Sequence, residues 1–291
     1  MIDGIILKGF SGFYYVRTQA HGEVECSLRG RFRQERLTFL PGDYVKISLT
    51  NERQGVIEEL LPRETELLRP PVANVDQAIL VLALADPPPD LVLLDRLLVY
   101  LEQTPVMPVI CFNKRDIAGD SEAEEIIGIY KDIGYDLVLT SVKTKTGFDE
   151  LKNFLQNHIS VFAGPSGVGK SSLLNVLEPG FKLETGSVSD KARRGKHTTR
   201  HTKLLSLYGG YVADTPGFSR IELPNVSREE LSFLFPEMDG YRQDCRFNTC
   251  LHYKEPQCAV KQALERGAIS QSRYKNYLRF LEEITARERS Y

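Results

Sequence analysis

The chemistry in this chain is carried by a few short segments. Gly164-Pro165-Ser166-Gly167-Val168-Gly169-Lys170-Ser171 has the form G-x4-G-K-[ST], after an apolar run (Ile159 to Ala163) and before the helix-like stretch Ser172 to Leu177. That is the strand-loop-helix context in which the motif holds phosphate. Glycines let backbone N–H groups turn inward around phosphate oxygens, and the helix N-terminus adds its positive end. Lys170 is expected to reach the β- and γ-phosphates and to assist the chemistry, while the Ser171 hydroxyl ligates magnesium. Ser172 completes the set of loop contacts.

Asn113-Lys114-Arg115-Asp116 has the form N-K-x-D. A carboxylate at Asp116 accepts two hydrogen bonds, from guanine N1–H and its 2-amino group. Adenine offers neither, so ATP would leave Asp116 buried and unpaired at a cost of several kcal/mol. Asn113 suits the N7 side, and the Lys114 stem can cover the ring. Ser141-Val142-Lys143, ending another strand, fits the loop that backs the base.

Asp214-Thr215-Pro216-Gly217 follows the short strand predicted over Tyr211-Val212-Ala213. Asp214 is the expected magnesium carboxylate, directly or through water, and the Gly217 N–H suits the γ-phosphate. Between the two phosphate elements lies His197-Thr198-Thr199-Arg200-His201. Thr198 and Thr199 are both candidates for the magnesium ligand that senses the γ-phosphate, with Thr199 slightly favoured. Phe218 follows Asp-x-x-Gly where a glutamine would orient the attacking water, and a phenyl ring cannot do so. His197, beside the threonine pair, is the candidate for that catalytic role.

Cys245, Cys250, His252 and Cys258 form C-x4-C-x-H-x5-C. Three thiolates and an imidazole suit a closed tetrahedral zinc site with a structural role. Cys26 and Cys111, in apolar strands, read as small buried residues.

The elements that must position these residues fall into three parts, 1–65, 66–222 and 223–291. Short apolar strands separated by glycine turns predict a small β-barrel in the first part, OB-type or SH3-like. Within it Arg29, Arg31, Arg33 and Arg36 crowd around Phe32, a pattern compatible with a single-strand RNA surface. The second part alternates strands (78–85, 106–112, 137–139, 159–163) with helical patterns (91–101, 121–132, 148–156), which predicts a parallel α/β sheet. The third part is irregular chain, the cysteine cluster, and a helix whose stripe is Tyr274, Tyr277, Leu278, Leu281 and Ile284. The order of the middle part is rotated: Asn113 precedes Gly164, whereas an ordinary GTPase has its phosphate loop first.

Composition bounds the rest. Lys and Arg number 37 against 39 Asp and Glu, so any nucleic-acid surface is a local patch. One such patch is 182–203, with seven basic residues against two acidic, a net +5 that coincides with the threonine pair. It reads as a loop that orders on RNA phosphates. The purest apolar run, Ala78 to Ala85, is too short to span a bilayer, so no membrane partner is expected. Five cysteines, an odd number, argue against a disulfide framework and for a reducing, cytoplasmic setting.

These motifs together resemble the circularly permuted GTPases, and among them the ribosome small-subunit-dependent GTPase A family. The resemblance spans essentially the whole chain: the barrel, Asn113 to Asp116 ahead of Gly164 to Ser171, His197-Thr198-Thr199, Asp214 to Phe218, and the cysteine cluster. It implies a multi-domain α/β protein: an OB-fold, a permuted P-loop GTPase domain and a C-terminal zinc-binding helical domain. It implies GTP hydrolysis to GDP, with magnesium and one zinc, stimulated by the small ribosomal subunit and its rRNA during late maturation. It supports His197 over His201. A monomer is expected. Two other readings fit the residues: a GTP-binding switch with a protein partner and no RNA function, and a zinc-stabilised RNA-binding protein that uses nucleotide structurally.

Overall fold

In the computed structural model, residues 1–34, 37–68, 70–184, 202–218 and 222–289 are described, with the backbone alone at 33–34 and 214–218. The first strands close into a barrel ordered β1-β2-β3-β5-β4: β1 (Ile2–Phe10), β2 (Phe13–Thr18), β3 (Gly22–Leu28), β4 (Tyr44–Leu49) and β5 (Gln54–Leu60). β3 pairs with β5 in parallel and the other neighbours are antiparallel, with α1 (Gly30–Gln34) between β3 and β4. This connectivity decides for the OB-type barrel over the SH3-like one. Alternate residues fill its interior, among them Ile6, Val16, Val24, Val45, Ile47 and Ile57.

The arginine-rich segment is not the aromatic surface its sequence suggested. Phe32 is buried in the barrel core, edge-on to Phe39 with ring centroids 5.3 Å apart. Arg29 pairs with the Glu58 carboxylate and Arg31 donates to the Glu58 carbonyl. Burial in the barrel claims the ring, and the Arg31 guanidinium lies over it, 4.8 Å from the centroid. Arg36, and the side chain of Arg33, lie outside the described residues.

A hairpin of β6 (Glu66–Leu68) and β7 (Pro71–Ala73) joins barrel to sheet. Arg63 bonds both oxygens of fully buried Asp43 at 2.6 and 2.9 Å, and Asn74 donates to the Gly42 carbonyl at 2.9 Å. Leu67, Val72 and Val75 share one hydrophobic cluster with Ile5 and Leu7 of the barrel and with the sheet. The composition changes here, but the core is continuous.

The sheet comprises β8 (Gln77–Ala83), β9 (Met107–Asn113), β10 (Asp136–Leu139), β11 (Ile159–Ala163), β12 (Lys203–Leu207) and β13 (Gly210–Phe218), ordered β10-β9-β8-β11-β13-β12. Only the edge pair β12/β13 is antiparallel. All residues of β8 and β11 are buried, as strands covered on both faces require. Alternation sends Ala78, Leu80 and Leu82 towards α2 (Leu91–Leu101) and α3 (Asp120–Ile133). Ile79, Val81 and Ala83 face α4 (Phe148–Leu155) and α5 (Lys170–Leu177).

The last part contains α6 (Asp239–Arg242), α7 (Ala259–Glu265) and the long α8 (Gln271–Arg289). Phe235, Met238, Val260, Tyr277, Phe280 and Ile284 form its core, and Val99 of α2 enters it.

Candidate nucleotide and metal sites

The carboxyl ends of β8, β9, β10 and β11 share one edge of the sheet, so the loops that follow them meet there although they are far apart in sequence. β11 runs straight into Gly164. Its φ of +137° excludes most side chains, and a Cβ would lie 2.0 Å from the Val81 carbonyl oxygen, so only glycine lets the loop leave the sheet here. At Gly169, φ +101°, a Cβ would lie 2.4 Å from Asn113 Nδ2. The loop then enters α5 at Lys170.

Lys170 Nζ donates to the Gly164 and Pro165 carbonyls at 2.8 and 2.7 Å, so its ammonium lies inside the loop. Burial lowers its pKa to about 8. Ser171 and Ser172 follow on the first turn of α5. Ser166 and Gly167 form the exposed rim of the loop and Val168 is buried beneath it.

The N-K-x-D segment lies against this loop. Asn113, almost fully buried at the end of β9, donates to the Val168 carbonyl at 2.8 Å and accepts from the Thr140 hydroxyl at 3.2 Å. Lys114 adopts φ +62° and its Nζ reaches the Asp86 carbonyl. Ser141 donates to the Asp116 carboxylate at 2.6 Å and accepts from the Thr144 N–H at 3.1 Å. That clamp fixes the carboxylate without adding charge. Val142 and Lys143 continue the turn, closed by the Ser141/Thr146 bridge. Arg115 turns to Asp120 and the Ala118 carbonyl, away from the pocket formed by its neighbours.

β13 extends through Phe218, beyond the predicted Tyr211 to Ala213, with a register shift against β11. Asp214 and Gly217 therefore lie on the strand beside the phosphate loop, but the Asp214 side chain is outside the described residues. So are His197, Thr198, Thr199 and the rest of 185–201.

The second site is in the C-terminal part. The donor atoms of Cys245, Cys250, His252 and Cys258 all lie within 4.8 Å of one another. Cys245 Sγ is 3.8 Å from Cys258 Sγ and 3.6 Å from His252 Nδ1, and His252 Nδ1 is 3.4 Å from Cys258 Sγ. Tetrahedral zinc with Zn–S and Zn–N bonds of about 2.3 and 2.1 Å calls for separations of about 3.6–3.8 Å. The set thus has the size and donor types for a tetrahedral metal. Burial lowers His252 to about 4, which keeps its imidazole neutral as a ligand must be, and raises the thiols Cys250 and Cys258. Tyr274 and Tyr277 of α8 donate to the His252 and Leu251 carbonyls at 2.7 Å each, holding the loop on the helix.

Two contributors escaped the sequence reading. Thr140, which orients Asn113, carries no signal beyond standing before Ser141. Asp86 and Pro87, in the loop after β8, carry no motif that points to the site.

A parallel sheet that brings a G-x4-G-K-S loop and an N-K-x-D loop to one edge, with the base-reading strand earlier in the chain, defines a circularly permuted guanine-nucleotide-binding protein. Comparison with known proteins agrees. The RsgA GTPase family model matches residues 60–224 and the RsgA N-terminal domain model residues 3–57. A small ribosomal subunit biogenesis GTPase RsgA of Moorella thermoacetica is 52% identical over 292 residues, covering 100% of both chains. YloQ, described as a circularly permuted GTPase, superposes with a TM-score of 0.82 at 41% identity, covering 99% of this chain and 96% of its own. YjeQ from Thermotoga maritima gives 0.85 at 38% identity, covering 98% of each. The chain belongs to the RsgA GTPase family and is a GTP hydrolase.

Proposed function

We propose that this chain hydrolyses GTP while bound to the small ribosomal subunit, assisting its late maturation, and that the subunit accelerates the reaction. The observation that carries the reading is the direct bond from Asn113 to Val168, which makes one pocket of the base and phosphate loops. Full-length relatives named for small ribosomal subunit biogenesis supply the setting. They give no support to a switch with a protein partner alone.

In this reading Asn113, Lys114 and Asp116 hold guanine, with Ser141, Val142 and Lys143 behind it. Residues 164–172 cradle the phosphates. Ser171, Asp214 and one of the threonines, Thr199 ahead of Thr198, hold magnesium, which neutralises charge on the β- and γ-phosphates when bound. Gly217 donates to the γ-phosphate, and His197 orients the water that Phe218 cannot. The Cys245, Cys250, His252, Cys258 set holds one zinc, which fixes the fold around it. The parts 1–65, 66–222 and 223–291 act as barrel, GTPase domain and zinc domain, the outer two reaching rRNA. The protein works as a monomer in the cytoplasm. No described helix is long and apolar enough to cross a membrane.

The test is GTP turnover while small subunits, large subunits and free tRNA are titrated separately. Acceleration by small subunits alone, weakening with salt, is expected. Equal acceleration by all three would reduce the claim to polyanion binding, and none by small subunits would reject it.

A further inference from the structure

Helix α2 has two occupied sides. Leu94, Leu97, Leu98 and Leu101 pack into the sheet core, while Val99 belongs to the core of the C-terminal part. Beside Val99, the fully buried Asp95 accepts from Arg273 Nη1 at 2.8 Å and Asn276 Nδ2 at 2.6 Å, both on α8. It also accepts from the Tyr130 hydroxyl of α3 at 2.8 Å. Arg273, itself fully buried, bonds both oxygens of Glu237 at 2.7 and 2.9 Å. Arg96 bonds both oxygens of Glu283 at 2.9 and 2.7 Å and lies over the Phe280 ring. Asp95 therefore ties α2, α3 and α8 at one point.

The loop that leads into α2 touches both segments of the proposed nucleotide pocket. It bonds the N-K-x-D segment twice, from the Leu84 N–H to the Asn113 carbonyl at 3.0 Å and from Lys114 Nζ to the Asp86 carbonyl. It also lies against the phosphate loop, where a Cβ on Gly167 would be 3.9 Å from Pro87 Cδ. Pro87-Pro88-Pro89 restrict this loop, and the Asp90 carboxylate caps the helix by accepting from the Leu93 N–H at 2.9 Å. Little slack separates the base pocket from Asp95.

We propose that α2 is a strut coupling occupancy of the guanine pocket to the docking of the C-terminal part, with Asp95 as its positioning residue. The route runs on the base side and needs no γ-phosphate, so GDP suffices to drive it. It rests on the guanine pocket proposed above. Coupling is reciprocal: if bound GDP tightens the docking of α8, loosening that docking weakens GDP by the same factor.

Hydrogen exchange of the full chain with and without GDP tests this, together with GDP titration. In the parent, GDP should slow exchange in the phosphate loop, in α2 and in α8. Asp95→Asn, nearly the same shape, should keep the phosphate-loop effect, lose the α8 effect and bind GDP about fivefold more weakly. Arg96→Ala, which removes the more exposed pair with Glu283, should act in the same direction by less and covers the case in which Asp95→Asn fails to fold. Arg228→Ala, which removes a pair with Glu288 in the last turn of α8 and no bond to α2, should change neither. Protection of the phosphate loop by GDP with no change in α8 would overturn the strut. So would unchanged GDP affinity in both α2 variants. Absence of any protection by GDP would instead overturn the pocket reading, and the strut with it.

Discussion

Asn113 Nδ2 lies 2.8 Å from the Val168 carbonyl oxygen, a bond across 55 positions of sequence that joins the base-reading strand to the phosphate loop. Asn113 is almost fully buried, so removing its amide takes the donor from that carbonyl and leaves the Thr140 hydroxyl with only the Cys111 sulfur, 3.4 Å away. A buried polar group left unpaired costs about 1–3 kcal/mol. Asn113→Ala should therefore weaken GTP and GDP alike, by about ten- to a hundredfold, as measured by nucleotide titration. An effect on GTP alone would contradict the geometry.

Ser141 fixes the Asp116 carboxylate from behind. Asp116→Asn replaces an acceptor by a donor at the guanine edge. It should weaken GTP and favour xanthosine triphosphate, whose 2-carbonyl needs a donor. Competition between the two nucleotides reads this directly, and undiminished GTP affinity would disprove the assignment.

Burial lowers Lys170 to about 8. The free protein thus loses this ammonium as pH rises through about 8. Bound phosphate favours the charged form and raises the pKa, so binding above that pH takes up a proton. Nucleotide affinity should be nearly flat below about pH 7 and fall by up to about tenfold per unit above about pH 8. Calorimetry in buffers of different ionisation enthalpy should register the uptake, and Lys170→Met should abolish the slope as well as weaken binding.

Elemental analysis should find one zinc per chain. Chelation should release it and unfold the surrounding loop, because the cluster supplies stability that the short segments between ligands cannot. The chain has 13 tyrosines and no tryptophan, and Tyr274 and Tyr277 bond the carbonyls of that loop. The near-ultraviolet circular dichroism of tyrosine should therefore change on chelation and recover when zinc returns. Cys258→Ser should show the chelated spectrum throughout.

His197→Ala should bind GTP normally and lower subunit-stimulated turnover by roughly 10–1000-fold. Unchanged stimulated turnover would move water orientation to the partner or to another residue.

What is local in this protein is legible in its sequence. G-x4-G-K-S, N-K-x-D and the cysteine–histidine spacing are each written within a few residues, because backbone turns and ligand loops are short-range geometry. The run Ala78 to Ala85 announced a strand buried on both faces, and the chain order of the motifs announced the permutation. Tertiary structure decided what depends on neighbours distant in sequence. Phe32 left the proposed RNA surface because the barrel interior outcompetes water for a ring, whatever cations flank it. The Arg115 side chain turned to Asp120 because the chain bends at Ala118 and Gly119 and sets that carboxylate, the first residue of α3, beside it. The OB-type order of the barrel required the parallel pairing of β3 with β5, which no local pattern records. Nothing local in the sequence marks Asp95 or Arg273. Only packing α2 against α8 places them together, where each makes burial of the other tolerable.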